Sequence, residues 1–382
     1  MSEIKNIPRL RFPGFDDHWR TERLGKISKF QNGVGHEQSI DSEGNIIVVN
    51  SKFISTEGEV KKYTQEVLSE IPDDSFSMVM SDVPNGKAIA KCYYFIEGRN
   101  YSLNQRICSI KSKTENNKFL FYQINRNKYY LKFDNGVGQT NLRKSEVLNC
   151  PVILPSTPEQ QKIANFLTSV DKRIELLEKK KTLLETYKKG VMKKIFNQEI
   201  RFKDDNGNDF PDWEEKKLGR VCNIQKGKQL NKSELSDNGQ YPAINGGVDP
   251  SGYTDEWNTV AHTITISEGG NSCGYVNYIK KDFWCGGHCY SLLDIQNYLS
   301  KYYLFEYLKF KEKSIMRLRV GSGLPNIQKR DIDGFPILIP SLEEQKKLSN
   351  FLSTIGNQIE LLETQIDKTK TWKKGLLQKM FV

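Results

Sequence analysis

Apolar residues recur every seven positions in two segments of the chain. Ile163, Val170, Leu177, Leu184 and Val191 form the first row, and Leu348, Ile355, Leu362 and Leu376 the second, with Thr369 interrupting it. Phe166, Leu167, Ile174 and Tyr187 lie beside the first row, and Phe351, Leu352, Ile359, Ile366 and Trp372 beside the second. Each heptad stripe predicts one long helix that packs along a seam. Ser156 with Glu159, and Ser341 with Glu344, have capping-box spacing. Pro155 and Pro340 end the extended runs that precede them. Some forty residues at the helical rise give roughly 60 Å. A helix that long outruns a small domain and needs a partner, and the nearest candidate is the other copy, parallel or antiparallel. An ordinary core helix used twice is the alternative.

The two segments are one sequence written twice. Pro151-Val152-Ile153-Leu154-Pro155-Ser156 aligns with Pro336-Ile337-Leu338-Ile339-Pro340-Ser341 at an offset of 185 residues. Without a gap, Glu159-Gln160 then matches Glu344-Gln345, Asn165-Phe166-Leu167 matches Asn350-Phe351-Leu352, and Lys188-Lys189-Gly190 matches Lys373-Lys374-Gly375. The repeat reaches further back. Trp19, Leu24, Gly25, Gln31 and Gly33 recur as Trp213, Leu218, Gly219, Gln225 and Gly227, and Arg11-Phe12 is echoed by Arg201-Phe202. The order is therefore lobe, helix, lobe, helix. We divide the chain at 1–156, 157–200, 201–341 and 342–382.

Inside the lobes the identity fades while the plan persists. Strand-like runs at 77–81, 88–95 and 106–110 in lobe one correspond to 263–267, 274–279 and 289–295 in lobe two. An aromatic-rich helical segment follows in each, Phe119 to Phe133 and Asn297 to about Met316. A glycine loop comes next. Gly136-Val137-Gly138-Gln139-Thr140-Asn141-Leu142 parallels Gly321-Ser322-Gly323-Leu324-Pro325-Asn326-Ile327. Those glycines either supply positive φ for a turn, approach a DNA phosphate beside Arg143, Lys144, Arg317, Arg319 and Lys329, or dock on the helix pair. Each lobe thus reads as a mixed α/β domain whose frame is kept and whose loops diverge.

Composition narrows the setting. Hydrophobic residues make up 37% and charged residues 27%. No run of eighteen apolar residues is present, so no membrane span is expected. Without an apolar signal core at its start, and with an odd count of seven cysteines, the chain is expected in the reducing cytoplasm. The net charge of +10 permits nucleic-acid binding. It is uneven: residues 1–156 carry +4, 157–196 carry +5, 197–341 carry −1 and 342–382 carry +2. Lobe two would need local clusters or a basic partner to hold DNA.

A search for catalytic chemistry fails. Four histidines are present, and no His-Glu-x-x-His, G-x-S-x-G or phosphate-binding P-loop. Cys273, Cys285, His288 and Cys289 hold zinc-type ligands, but His288 and Cys289 adjoin, and neighbours in a strand point to opposite faces. Free, partly buried thiols are the simpler reading, and no metal is assigned.

The glycine loop ending in Asn141-Leu142, then Pro151-x-x-x-Pro155, then Glu159-Gln160, with a second complete set, resembles the specificity subunits of type I restriction-modification systems. The resemblance covers nearly the whole chain. It implies two tandem α/β target recognition domains separated by two long helices packed as an antiparallel coiled coil. Each lobe would read one half of a split, asymmetric site in double-stranded DNA. Two methyltransferase subunits would dock on the helices, and restriction-translocase subunits would join them. The chain itself would hold no active site and no cofactor; S-adenosylmethionine, ATP and Mg belong on the partners, which methylate adenine and cut. One departure, Leu324-Pro325 in place of Gln139-Thr140, leaves the second glycine loop's role open. Candidate DNA contacts are Lys87, Arg99, Arg106 and Arg143 in lobe one, and Lys226, Lys228, Lys232, Arg317 and Arg319 in lobe two. Ile163, Phe166, Val170, Leu177, Leu184, Leu348, Phe351, Ile355 and Leu362 are the candidate spacer and partner face. A coiled-coil assembly scaffold without DNA readout is the competing reading.

Overall fold

A computed structural model describes residues 7–82, 88–134, 138–321, 323 and 325–381. Both heptad stripes are helices, Thr157–Phe196 and Leu342–Met380. The chain divides into two compact units, Met1–Leu177 with Gln365–Val382, and Glu178–Thr364. Each unit holds one lobe, the opening half of the helix that follows it and the closing half of the other long helix. Beginning meets end in both, so the helices run antiparallel. Facing side chains in the second unit agree: Lys181 Nζ lies 2.8 Å from Glu363, and Lys188, further along, reaches Gly356, further back.

The stripe is buried where the seam meets a lobe. Ile163, Val170, Leu348, Ile355 and Leu362 are buried, and Phe166, Phe351, Leu177 and Leu184 are half-buried. Tyr187 and Trp372, read as part of the stripe, are 53% and 51% exposed. They sit on the flank of the seam, where no third layer covers a large ring.

Each lobe is built on the same four-stranded antiparallel sheet. In lobe one the order is Ser28–Asn32, Ile107–Ser112, Ser75–Val79, Cys92–Phe95. In lobe two it is Asn223–Lys226, Cys289–Leu293, Thr263–Ser267, Val276–Ile279. Ala88–Lys91, expected as strand, is a turn in which Ala90 takes φ +55°. A smaller three-stranded sheet joins each lobe, centred on Ile46–Val49 in one and Tyr241–Ile244 in the other. Both aromatic segments break in two: Asn117–Ile124 and Lys128–Leu131, then Lys301–Phe310 and Glu312–Met316. Arg126 takes φ +56° at the first break, which a continuing helix cannot accommodate. The helix Ser51–Ser55 of lobe one has no counterpart among the described residues of lobe two. The first strand of each lobe pairs antiparallel with the strand that feeds the long helix, Arg20–Arg23 with Pro151–Leu154 and Glu214–Lys217 with Pro336–Ile339.

Where that strand turns into the helix, the repeated Glu-Gln pair is wholly buried. Glu159 takes a bidentate ion pair from Arg11, at 2.7 and 2.8 Å. Glu344 takes the equivalent pair from Arg201, at 3.2 and 2.8 Å. The glutamine beside each glutamate ties the helix to its lobe. Gln160 donates to Pro155 O and accepts from the Asn116 amide at 3.0 Å; Gln345 donates to Pro340 O and accepts from the Ser300 amide at 2.7 Å. Asn116 and Ser300 are the N-caps of the two aromatic helices. Of the two expected capping boxes the second is half-used, Ser341 accepting the Glu344 amide at 3.3 Å, and both glutamates turn to arginine. A buried carboxylate needs a cation more than it needs a terminal amide.

The units differ in how a shared lysine is held. Lys373 and Lys188 are equivalent in the repeat. In the first unit Lys373 pairs with Asp171 of the long helix, and Tyr122 of the lobe donates to the same carboxylate at 2.7 Å. In the second unit glycine replaces that aspartate at 356, and the acid stands on the lobe: Lys188 pairs with the buried Glu306 at 2.6 Å. Counting from the helix caps Asn116 and Ser300, Tyr122 and Glu306 hold the same place. The carboxylate has moved from one side of the contact to the other.

All seven cysteines are free and buried; Cys273, Cys285 and Cys289, expected as partly buried thiols, are almost wholly enclosed. Their small apolar side chains fill core space; Cys273 packs in the main core of lobe two, and Cys285 and Cys289 in a separate cluster with Ile244, Ile279 and Phe283. Burial pushes the Cys150 thiol up to about 11 and those of Cys108 and Cys222 up to about 12.

Three outcomes follow from this packing. Glu344→Ala strands a cation and the Trp213 indole, which donates to Glu344 at 3.0 Å, and should cost about 3–5 kcal/mol. Glu159→Ala should cost less, because the Trp19 indole nitrogen already lacks a partner; urea unfolding of both variants checks this. Glu306→Tyr and Gly356→Asp should each lower the unfolding midpoint, whereas the double variant, copying the first unit's chemistry, should recover about 0.5–3 kcal/mol of coupling in a double-mutant cycle. An unfolded thiol ionises near pH 8.5, roughly, well below the folded thiols, so the unfolded state binds fewer protons above that pH and stability should fall as pH rises. A colorimetric thiol reagent at pH 8 should label the native protein slowly and all seven cysteines in urea.

Candidate nucleic-acid interface

The predicted cations fall into separate places. Lys87 lies outside the described residues. Arg106 stands exposed at the entry to Ile107–Ser112 with φ +66°. Its carbonyl accepts from the Met80 amide at 2.9 Å, and Met80 O accepts from the Leu142 amide at 2.7 Å. Arg106 and the residue after Leu142, Arg143, thus belong to one end of the sheet. Arg143 also heads the short helix Lys144–Leu148, its amide donating to Glu146 at 2.7 Å. Arg99 is exposed and paired with Glu97 in the turn after Cys92–Phe95. That turn adjoins Asp74 at the opposite end of the sheet, so Arg99 does not join the other two.

In lobe two, Lys226 and Lys228 leave the end of Asn223–Lys226 and meet the loop 285–289 through Gly227 N to Cys289 O and Lys228 N to Cys285 O, both 2.9 Å. Arg319 approaches the same end; its charge opposes the rise that burial imposes on the Cys273 thiol. Arg317 caps the short helix Glu312–Met316, which packs against Gly274. Lys232 lies apart, on the turn 232–234 that leads to the bridge between Ser236 and Tyr253.

The glycine loops are fastened to this same end. Ile327 N donates to Glu268 O at 2.8 Å, and Gly270 N to Pro325 O at 3.0 Å. Gly138 and Gly321 take φ +72° and +96°, as expected for turn glycines. Gly136 lies outside the described residues.

Sequence reasoning missed the acid at the centre of the lobe-two cluster. Glu268 is buried, with Lys226 Nζ at 2.5 Å and the Tyr290 hydroxyl at 3.1 Å on one carboxylate oxygen. His288 Nδ1 lies 3.7 Å from the other oxygen, too far for a hydrogen bond. The Glu268 charge and burial together raise the Tyr290 phenol, burial being the larger cause. No local motif marks Glu268, because the cluster exists only through strand register. Of the remaining histidines, His36 is buried and bonded to Val34 O and Ser102, a structural role. Among the described residues no group of three His, Cys, Asp or Glu side chains could hold a metal ion. Among them, too, no helix is long and apolar enough to cross a membrane.

Two stretches, residues 16–186 and 211–370, match the type I restriction modification DNA specificity domain. Across 171 residues the chain is 33% identical to a Mycoplasma pneumoniae protein described as a candidate type I specificity subunit. That match spans 44% of this chain and 45% of the relative, so the chain covers under half of that protein's length. An alignment of 411 positions gives 25% identity to the type I restriction enzyme MjaVIII specificity subunit of Methanocaldococcus jannaschii, covering 98% of this chain and 94% of the relative. In fold, the chain is similar to the crystal structure of a type I restriction-modification system S subunit from M. genitalium, with a TM-score of 0.69 at 20% identity over 98% of this chain and 99% of that one. With matched stretches covering most of the sequence and an architecture shared along its length, the chain belongs to the type I restriction modification DNA specificity family and carries that domain twice.

Proposed function

We propose that the chain is the non-catalytic specificity subunit of a cytoplasmic type I restriction-modification complex. Each lobe reads one half of a split, asymmetric site in double-stranded DNA, and the long helices hold the unread gap between the halves. Two methyltransferase subunits dock on the helices and methylate adenine, and restriction-translocase subunits join them. S-adenosylmethionine, ATP and Mg are carried by those partners.

One observation carries this reading: two family domains with matching backbone frames present different side chains at the same sheet end. A common frame with unlike chemistry suits a protein that reads two unlike words. On this reading Arg106 and Arg143 in lobe one, and Lys226, Lys228, Arg317 and Arg319 in lobe two, contact DNA at that end; Lys87, Arg99 and Lys232 complete the proposed set. Apolar side chains remain for the partners. Leu176 and Trp372 in the first unit, and Leu361 and Tyr187 in the second, stay more than half exposed on the long helices. The −1 charge of lobe two favours the competing scaffold reading, unless the methyltransferase subunits supply the phosphate contacts that lobe lacks.

Mapping methylated adenines in a cell that holds this chain and its methyltransferase should return one split motif. Replacing lobe one with a foreign lobe should change one half of that motif only. A complex that binds all duplexes equally would establish the scaffold instead. A second test concerns the gap. Adding seven residues after Lys180 and seven after Gln365 keeps the pairings inside each unit. Seven residues add about 10 Å of helix, so the gap should widen by about three base pairs with both words intact. An unchanged gap would remove the helices from that role.

A further inference from the structure

The registers of the two sheets allow the lobes to be matched residue by residue. Phe30 faces Ile110, which faces Phe76; Ile224 faces Leu292, which faces Ile264. Continuing along the strands, Asn32 corresponds to Lys226, Met80 to Glu268, Arg106 to His288 and Cys108 to Tyr290. The backbone hydrogen bonds confirm the match pair by pair. Met80 N to Arg106 O is 2.9 Å, as is Glu268 N to His288 O. Leu142 N to Met80 O is 2.7 Å, and Ile327 N to Glu268 O is 2.8 Å. Gly33 N to Ile107 O and Gly227 N to Cys289 O are both 2.9 Å. The frame is the same, yet all four side chains differ.

In lobe one the position of Glu268 is held by a buried methionine. The frame therefore does not need a carboxylate there, and burying one carries a desolvation cost that its partners must offset. Those partners open to solvent: the side chains of Lys226 and His288 are 52% and 62% exposed. An acid at a surface that meets phosphates also repels DNA, unless a cation neutralises it and a base supplies a donor. Lys226 does the first, and the carboxylate oxygen facing His288 is left for the second.

Resting on the DNA-reading function proposed above, we propose that this sheet-end position is where each lobe reads its word, and that Glu268 in lobe two accepts a hydrogen bond from an exocyclic amine in the major groove, cytosine N4 or adenine N6. Glutamate pairs with such amines and rejects the acceptor edges of guanine and thymine. Lys226 and Tyr290 are positioning residues that fix the carboxylate, and His288 lies at the rim.

The test uses the complex of full-length chain and methyltransferase, with competition binding against duplexes substituted one base pair at a time. Glu268→Gln should leave the lobe-one half unchanged and reduce discrimination at one base pair of the lobe-two half by about tenfold or more. The base whose replacement no longer matters tells cytosine from adenine. A second variant, Glu268→Met with His288→Arg, brings in lobe-one chemistry on a frame that already accommodates it and should change the preferred base at that same position. An unfolding midpoint within a few degrees of the parent secures the comparison. If the parent is selective and both folded variants keep its word at full strength, the assignment of Glu268 is wrong while the DNA reading stands. If the parent itself does not discriminate among duplexes, the DNA reading falls and takes this assignment with it.

Discussion

The architecture rests on a glutamate and a glutamine at the first turn of each long helix. At that turn three things must meet: the entry segment, the lobe and the helix. The glutamate holds the entry segment through an arginine, and the glutamine holds the cap of the aromatic helix and the carbonyl of the proline before it. These side chains are fully buried, so their bonds cannot be exchanged for water. A helix some sixty ångströms long could pivot about a flexible root. Here the root is stitched to the lobe by directional bonds, which fixes the angle at which the helix leaves.

Two kinds of position emerge from the duplication. Those that set geometry are repeated with little change: Arg11 and Arg201, Gln160 and Gln345, Gly33 and Gly227. Those at the free end of the sheet change completely while the backbone bonds beneath them stay within a tenth of an ångström. Strand backbones are specified by pairing and by their buried face, and the side chains at their open ends add little to either. Chemistry can be rewritten there without disturbing the fold, which makes it a natural seat for recognition.

Much of this was legible in the sequence. The heptad rows and the doubled Pro-bounded strand predicted both helices, and the second copy exposed the Glu-Gln pair and the Arg-Phe entry before any role was clear. What was lost follows from physics that a linear reading cannot see. The second sheet of each lobe consists of strands of two to four residues, too short to show a period. The break at Arg126 depends on a backbone angle and not on a proline or glycine. Tyr187 and Trp372 look like core on spacing alone, yet a two-helix seam has only one covered side. Cys285 and Cys289 suggested ligands because thiols are reactive in isolation, whereas their neighbours are isoleucine and phenylalanine. Glu268 is invisible without register, since Lys226, Tyr290 and His288 approach it from two other strand ends.

The displaced carboxylate beneath the equivalent lysines bears on which lobe can stand on which pair of helix halves. A head bearing glutamate at the place of Glu306 suits a stem with glycine opposite, and a head bearing tyrosine suits a stem with aspartate. Transplanting a head into the wrong berth would leave either a lone ammonium or two acids competing for one. Exchange of the two lobes is therefore constrained at the socket: lobe and stem must agree on which of them carries the negative charge.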